Sequence, residues 1–406
     1  MALLYEFPSS NLLQDYTEEK SLSKSKIVTL KEVIFSDRFH DSKHDLPIAL
    51  GKNANDESIV ADLSRLPHLL IAGAPGMGIH SCINGIVVSL LYKKRPEELK
   101  FVFIDTRKVE FYDYQCISNH FLAKLPNVDN PIVDHIRDAV NTLESLHREM
   151  GDRYDLLKKA GACNIKDYNA KYDKGELSLA DGHRQLPYVV VVIDDLRDLI
   201  LTAGRSAETP IFLLAQISRA VGIHLILSTE WPSFDVITSF IKANFPARIA
   251  FRVNNQEESR IIFDQSGAEL LSGAGDMLLS VEGAELIRLQ GAFIGSSEVK
   301  SVTQHIAAQS GFSQPYLLPL CEKVKTPTNL EDIDPAFMMA ATIVVESQLG
   351  STSFLQRKMN IGYNRASRIM DQLEEFGIVG NYIKGREVKV KTTGELTTIF
   401  KKIGLL

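Results

Sequence analysis

The run YVVVVIDD at 188–195 limits the possible folds more than any other part of this sequence. Nearly continuous β-branched residues suit a strand buried on both faces, as in the middle of a parallel sheet. Its two closing carboxylates, Asp194 and Asp195, fall at the strand end where such sheets open onto a site. A companion unit lies upstream. The segment LPHLLIA (66–72) is followed by a glycine-rich turn, a helical pattern to about Lys94 and then FVFID (101–105), which is the order of a βαβ unit. IHLILST (223–229) and ARIAFRV (247–253) add two more strands, with amphipathic helices at 208–221 and 234–243. The chain therefore reads as α/β, with a mostly parallel sheet of at least five strands.

The turn between the first of these strands and its helix is Gly73-Ala-Pro-Gly76-Met-Gly78-Ile79-His80. Its GxxxxG spacing is that of a P-loop, in which glycines let backbone N–H groups turn onto phosphate oxygens at the positive end of a helix. The motif requires a lysine and then a serine or threonine after the last glycine, to reach the outer phosphates and hold magnesium. Ile79 and His80 stand there instead. Imidazole is a poor ligand for Mg²⁺, which prefers hard oxygens, and Ser81 lies one residue further round the helix, facing elsewhere. A tight strand-to-helix connection would explain the glycines equally well. The carboxylates of Asp194 and Asp195, at a Walker B position, favour the nucleotide-fold reading, with Asp194 as the magnesium-binding candidate.

With 406 residues, 45% of them apolar and 24% charged, the chain has enough material for two or three folded units. A net charge of −6 supplies no global attraction to phosphate, so contact with nucleic acid has to come from local basic clusters. Cys82, Cys116, Cys163 and Cys321 show no metal or redox spacing. No segment reaches the roughly 18 apolar residues of a membrane span, and the expectation is a reduced, cytoplasmic setting. Residues 1–46 read as a short N-terminal part with a helix at 29–34, 47–325 as the α/β body and 326–334 as a linker. Residues 335–392 read as a smaller domain and 393–406 as a packing tail.

The smaller domain contains TSFLQRKMNIGYNRASRIMDQLEEFG (352–377), a helix–turn–helix pattern. Thr352 or Ser353 caps the first helix, Gly362 makes the turn and Gly377 stops the second. Ala366, Ile369, Met370, Leu373 and Phe376 form the buried stripe, leaving Asn364, Arg365, Arg368 and Gln372 to project outward. These residue types read purine edges in a major groove, and Lys384 and Arg386 sit in a following β-turn that suits phosphate contact. A solvated polar face on a small helical domain has the same pattern.

From about Ile27 to Lys391 the chain resembles the FtsK/SpoIIIE motor family. The segments that carry the likeness are LPHLLIAG (66–73), GIHLILST (222–229), PSFDVIT (232–238), IKANFPARIAF (241–251), GAGDML (273–278) and GYNRASRI (362–369). The resemblance implies a RecA-like P-loop NTPase fold followed by a winged-helix γ domain. It further implies ATP and Mg²⁺ as cofactors, a hexameric ring on double-stranded DNA, and a tyrosine recombinase as a partner of the γ domain. Lys242 and Arg248 occupy positions that look like channel contacts to phosphate, and Arg219 and Arg153 fall where a neighbouring subunit's nucleotide is approached. Departures gather at the catalytic centre: Ile79 and His80 for lysine and serine, Asp195 for glutamate, and Glu230 and Trp231 for a phosphate-sensing Gln-Arg pair. Glu230 beside a γ-phosphate would add like-charge repulsion. Most of the family's N-terminal motor subdomain is absent between YEFPSSNLL (5–13) and IVTLKEV (27–33). The resulting expectation is a DNA-binding pseudo-ATPase acting in chromosome segregation and cell division. The alternatives are an active hexameric translocase and an adaptor to an intact motor or recombinase.

Overall fold

The computed structural model describes residues 5–16, 27–66, 68–281, 285–320, 333–380, 387–403 and 405. The chain divides into two compact units, residues 1–321 and 322–406.

The strands of the first unit are β1 (Pro47–Lys52), β2 (Ser58–Asp62), β3 (Leu69–Ala72), β4 (Leu99–Asp105), β5 (Ala123–Lys124), β6 (Tyr188–Asp194), β7 (Ile223–Thr229), β8 (Ala247–Phe251), β9 (Asp276–Ser280), β10 (Ile287–Gly291) and β11 (Tyr316–Leu317). Nine form one sheet in the order β2-β1-β10-β9-β8-β3-β7-β6-β4. From β8 to β4 the pairing is parallel, and these are the five strands expected from the sequence. Every residue of β3, β4, β6 and β7 is buried, which is why their sequences run apolar without alternation. An antiparallel half, β9-β10-β1-β2, extends the sheet. It passes unnoticed in the sequence because its strands are short and two of them only partly buried, as in β10 with two of its five residues exposed.

The parallel register brings the functional edge together. Asp105 of β4 pairs with Asp194 of β6, and Ala72 of β3 with Thr229 of β7, so the carboxyl ends of the four strands finish level with one another. The lead-in belongs to the same core: Leu13, Val28, Leu30, Val33 and Phe39 are buried with the sheet residues, and Thr29 caps the helix Leu30–Ile34 by accepting from the Glu32 N–H.

Arg153 is not at a surface. It lies fully buried on the helix Ile136–Ala160, donating to Glu149 (2.8 Å) and to the carbonyls of Pro187 (2.8 Å) and Val221 (2.9 Å). Its position near a neighbour's nucleotide is thereby corrected: the side chain is enclosed within one subunit, with Nε and Nη1 bonded to three of its own segments. Arg219 is exposed and borders a cavity of about 560 Å³ with Arg65, Tyr154 and Lys166.

The second unit packs the helices Phe337–Ser347, Thr352–Met359, Tyr363–Glu375 and Thr393–Ile403 around its own core. The expected stripe is there, with Ala366, Ile369, Met370 and Leu373 wholly buried and Phe376 partly so. Ser351, not Thr352 or Ser353, caps the first helix of the pair, and Gly377 takes the left-handed conformation that ends the second. Leu396 and Phe400 of the last helix join this core, so residues 393–403 are part of the unit.

Candidate nucleotide site and candidate DNA-reading helix

The phosphate-loop geometry follows from close backbone packing. A side chain at Gly78 would meet the Phe251 ring at 2.9 Å, and its φ of +127° suits only glycine; Gly76, at φ +74°, faces open space. The helix Ile79–Leu91 starts immediately after, so the N–H groups of the loop stand at its positive end. Beside it a cavity of about 450 Å³ is lined by Val28, Met77, Phe251, Ala274 and Phe293, among others. This half of the site is a cradle that suits a phosphate.

The other half is filled by the protein's own charges. Ile79 points into the core and Ser81 is turned away, its hydroxyl accepting from the Ile294 N–H at 3.1 Å. Arg107, two residues beyond β4, reaches into the space between them. The Asp105 carboxylate accepts from the N–H groups of Lys108, Val109 and Glu110 (2.9, 2.9 and 2.8 Å), which fixes the turn that carries Arg107 and Glu110 over the sheet edge. One Arg107 Nη donates to Asp194 at 3.0 Å and the other to Glu230 at 2.7 Å. His80 joins them, with Nε2 3.2 Å from Arg107 Nη2 and 3.4 Å from Asp194, and Nδ1 3.6 Å from Glu110. Asp194 also accepts from the Ser228 hydroxyl.

The electrostatics follow from these contacts. Burial opposes protonation of His80, but Asp194, Glu110 and Glu230 outweigh it and lift the imidazole above its ordinary value. Burial likewise opposes ionisation of Asp194; His80, Ser228 and Arg107 reverse this and hold its carboxyl below the usual range. Asp195 behaves oppositely. Burial raises its carboxyl, and the side chain caps the helix Leu196–Ala203 by accepting from the Arg197 N–H at 3.1 Å. Trp231 lies under the Arg197 guanidinium, 5.3 Å from ring centroid to carbon. The repulsion expected from Glu230 is thus answered within the protein by Arg107.

These residues fit only half of a magnesium nucleotide. The loop fits a phosphate. At the metal end, however, Asp194 is already paired with an arginine, an imidazole and a hydroxyl. Sequence reasoning missed Arg107. The available signal was its place just past a strand that ends in an aspartate and neighbours Asp194.

The expected DNA contacts divide. Lys242 is paired with Asp264, and Arg248 spends its guanidinium on the carbonyls of Phe245 (2.9 Å), Ile262 (2.9 Å) and Lys242. Both stitch the segment 239–264 together. On the helix Tyr363–Glu375, Arg365 and Arg368 are exposed, whereas Gln372 is buried and accepts from the Asp334 N–H at 3.2 Å. Gln372, two turns on from Arg365 on the same side of the helix, is covered by the N-terminal part of the unit, which corrects its expected outward projection. Asn364 lies on the same helix, and Lys384 and Arg386 fall outside the described residues.

Comparison with known proteins decides the family. The profile of the FtsK/SpoIIIE family matches residues 29–236, and that of the FtsK γ domain matches residues 331–391. The chain belongs to the FtsK/SpoIIIE family. It is 44% identical over 398 residues to the DNA translocase FtsK of Chlorobaculum tepidum, covering 95% of this chain and 48% of that protein. With the DNA translocase SpoIIIE of Bacillus subtilis it shares 41% over 365 residues, covering 89% and 45%. The chain thus spans about half the length of these relatives. Among solved structures, the conjugation coupling protein TcpA with ATPγS is similar at TM-score 0.57 and 23% identity, over 70% of this chain and 75% of that one. The cytoplasmic domain of the Thermomonospora curvata type VII secretion ATPase EccC gives 0.60 and 21%, over 73% and 36%. These two establish the P-loop ATPase fold of the family. No helix among the described residues is long and apolar enough to cross a membrane.

Proposed function

We propose that this chain acts on double-stranded DNA as a member of the translocase family whose own nucleotide site hydrolyses ATP poorly, with binding resting on the helix Tyr363–Glu375. The observation that carries this reading is the Arg107 bridge. Arg107 joins Asp194, the magnesium-binding candidate, to Glu230 at the sensor position, and His80 closes the set from the loop. A triphosphate would have to displace these bonds, each a charge-assisted one of about 1.5–3 kcal/mol, while meeting four carboxylates at Glu110, Asp194, Asp195 and Glu230. Neither a lysine nor a serine hydroxyl waits at the loop to repay that cost. Ring formation, a place in chromosome segregation and contact with a recombinase are carried over from the family as parts of the same proposal.

The test is titration of Mg-ATP with and without duplex DNA, followed by calorimetry and phosphate release. DNA binding with release no faster than that of an Asp194→Ala variant is the expected result. A second reading, an active translocase, is favoured by the 44% identity to a DNA translocase across 95% of the chain. Under it, DNA-stimulated release sensitive to Asp194→Ala is observed, and the closed-site reading is lost.

A further inference from the structure

The second unit contains a carboxylate whose surroundings none of the foregoing uses. Asp334 precedes the helix Phe337–Ser347, and its side chain is 1% exposed. One oxygen accepts from the Ala336 N–H at 2.9 Å and from Arg365 Nη2 at 2.8 Å. The other accepts from Arg365 Nε at 3.0 Å and from Arg368 Nη2 at 2.8 Å. The Asp334 backbone N–H donates to the buried Gln372. Asp334 is thus fixed at both its backbone and its side chain, and it holds two guanidinium groups that lie one turn apart on the same helix.

The arginines themselves remain open to solvent, with side chains 46% and 67% exposed. Of the five N–H donors on each guanidinium, Arg365 commits two to Asp334 and Arg368 one. The remaining donors lie on the edges away from the carboxylate and make no hydrogen bond to another of the described residues. An arginine on an exposed helix normally samples many rotamers, and ordering it on binding costs conformational entropy. Here that ordering is already done.

We propose that Asp334 is a positioning residue for sequence recognition: it locks Arg365 and Arg368 into one rigid donor platform, so that their free edges meet base acceptors in a fixed register. This rests on the reading that the helix Tyr363–Glu375 binds duplex DNA. With its carboxylate fixed by the Ala336 N–H and its backbone N–H by Gln372, Asp334 stays beside the arginines in the complex. Its negative charge disfavours loose phosphate binding while its geometry favours a defined base contact.

The substitution Asp334→Asn keeps the side-chain shape and an acceptor for the Ala336 N–H but removes the charge that grips the arginines. Duplexes enriched by the whole wild-type chain from a randomised library serve as probe, against scrambled duplexes of the same composition. Asp334→Asn is expected to lower the ratio of enriched to scrambled affinity about tenfold, as loss of one well-placed bidentate contact does. Affinity for the scrambled duplex stays equal or rises, because an anion has been removed. Arg365→Lys, which cannot fork, is expected to lower the ratio in the same way. An unchanged ratio, or equal gains for both duplexes, overturns the proposal and makes Asp334 a simple competitor of phosphate. Equal losses for both, with a lowered melting temperature of the second unit, make it only a structural staple and overturn the proposal too. If the wild-type chain enriches no sequence, the DNA-reading proposal itself falls, and this one with it.

Discussion

Replacing Arg107 with alanine isolates the charge balance at the sheet edge. Asp194 has no exposed side-chain area and Glu230 has 12%, while the Arg107 side chain is 27% exposed. Two charge-assisted bonds of about 1.5–3 kcal/mol each set a gross loss of about 3–6 kcal/mol. Part of this is recovered, since Glu230 is near enough to the surface to find water and Asp194 keeps His80 and Ser228. The net destabilisation of the first unit is expected at about 2–4 kcal/mol near pH 8. The pH dependence gives a sharper signature. The His80 value is raised, so its contribution is complete below the ordinary imidazole value of about 6.5 and fades as pH rises through the folded value. The carboxyl of Asp194 is lowered, so its contribution is present above the ordinary value and is lost as pH falls through the folded one. Without Arg107, the ionised Asp194 depends on protonated His80. The gap between wild type and Arg107→Ala is therefore widest on the alkaline side and narrows toward pH 6 and below. Urea unfolding followed through Trp231, the one tryptophan of the chain and a half-exposed neighbour of the site, reads this directly. A gap under about 0.5 kcal/mol at pH 8, the level of an ordinary surface pair, or one that grows on acidification, refutes the argument.

Two further outcomes follow from the same contacts. Asp194→Asn removes the principal partner of His80, and NMR titration is expected to show the imidazole moving down toward its ordinary value; no movement means that the ring is held by Glu110 instead. Arg248→Ala strips the donors from three backbone carbonyls and is expected to destabilise the first unit by about 2–3 kcal/mol in thermal denaturation, whereas a purely DNA-facing arginine leaves the melting temperature unchanged.

The parallel half of the sheet was legible because burial on both faces leaves an unbroken apolar run, as in YVVVVIDD and IHLILST. The loop glycines were legible because each carries a backbone requirement. What escaped was whatever depends on a side chain crossing space. Arg107 lies 87 residues from Asp194 and 123 from Glu230, and no spacing rule links them. Gln372 shows the converse. Helical periodicity put it with the outward-facing residues, but the face it occupies is covered by Asp334, 38 positions earlier. The partners of Lys242 and Arg248 likewise lie across a turn and become visible only once the chain has folded back.

The end of the first unit has a mechanical meaning. Its last described residues run from β11, paired in parallel with β5, to Leu320, whose carbonyl accepts from Arg148 at 3.0 Å, while the Pro319 carbonyl accepts from Ser145. The Tyr316 hydroxyl donates to the buried Glu149 at 2.7 Å, and Glu149 also holds Arg153 and Arg184. A tug on the chain beyond this point is thus borne by the long helix Ile136–Ala160 through several bonds at once. Leu122, next to β5, bridges Phe101 of β4, and Arg153 holds the carbonyls of Pro187 and Val221 just ahead of β6 and β7, so the load passes on into the nine-stranded sheet.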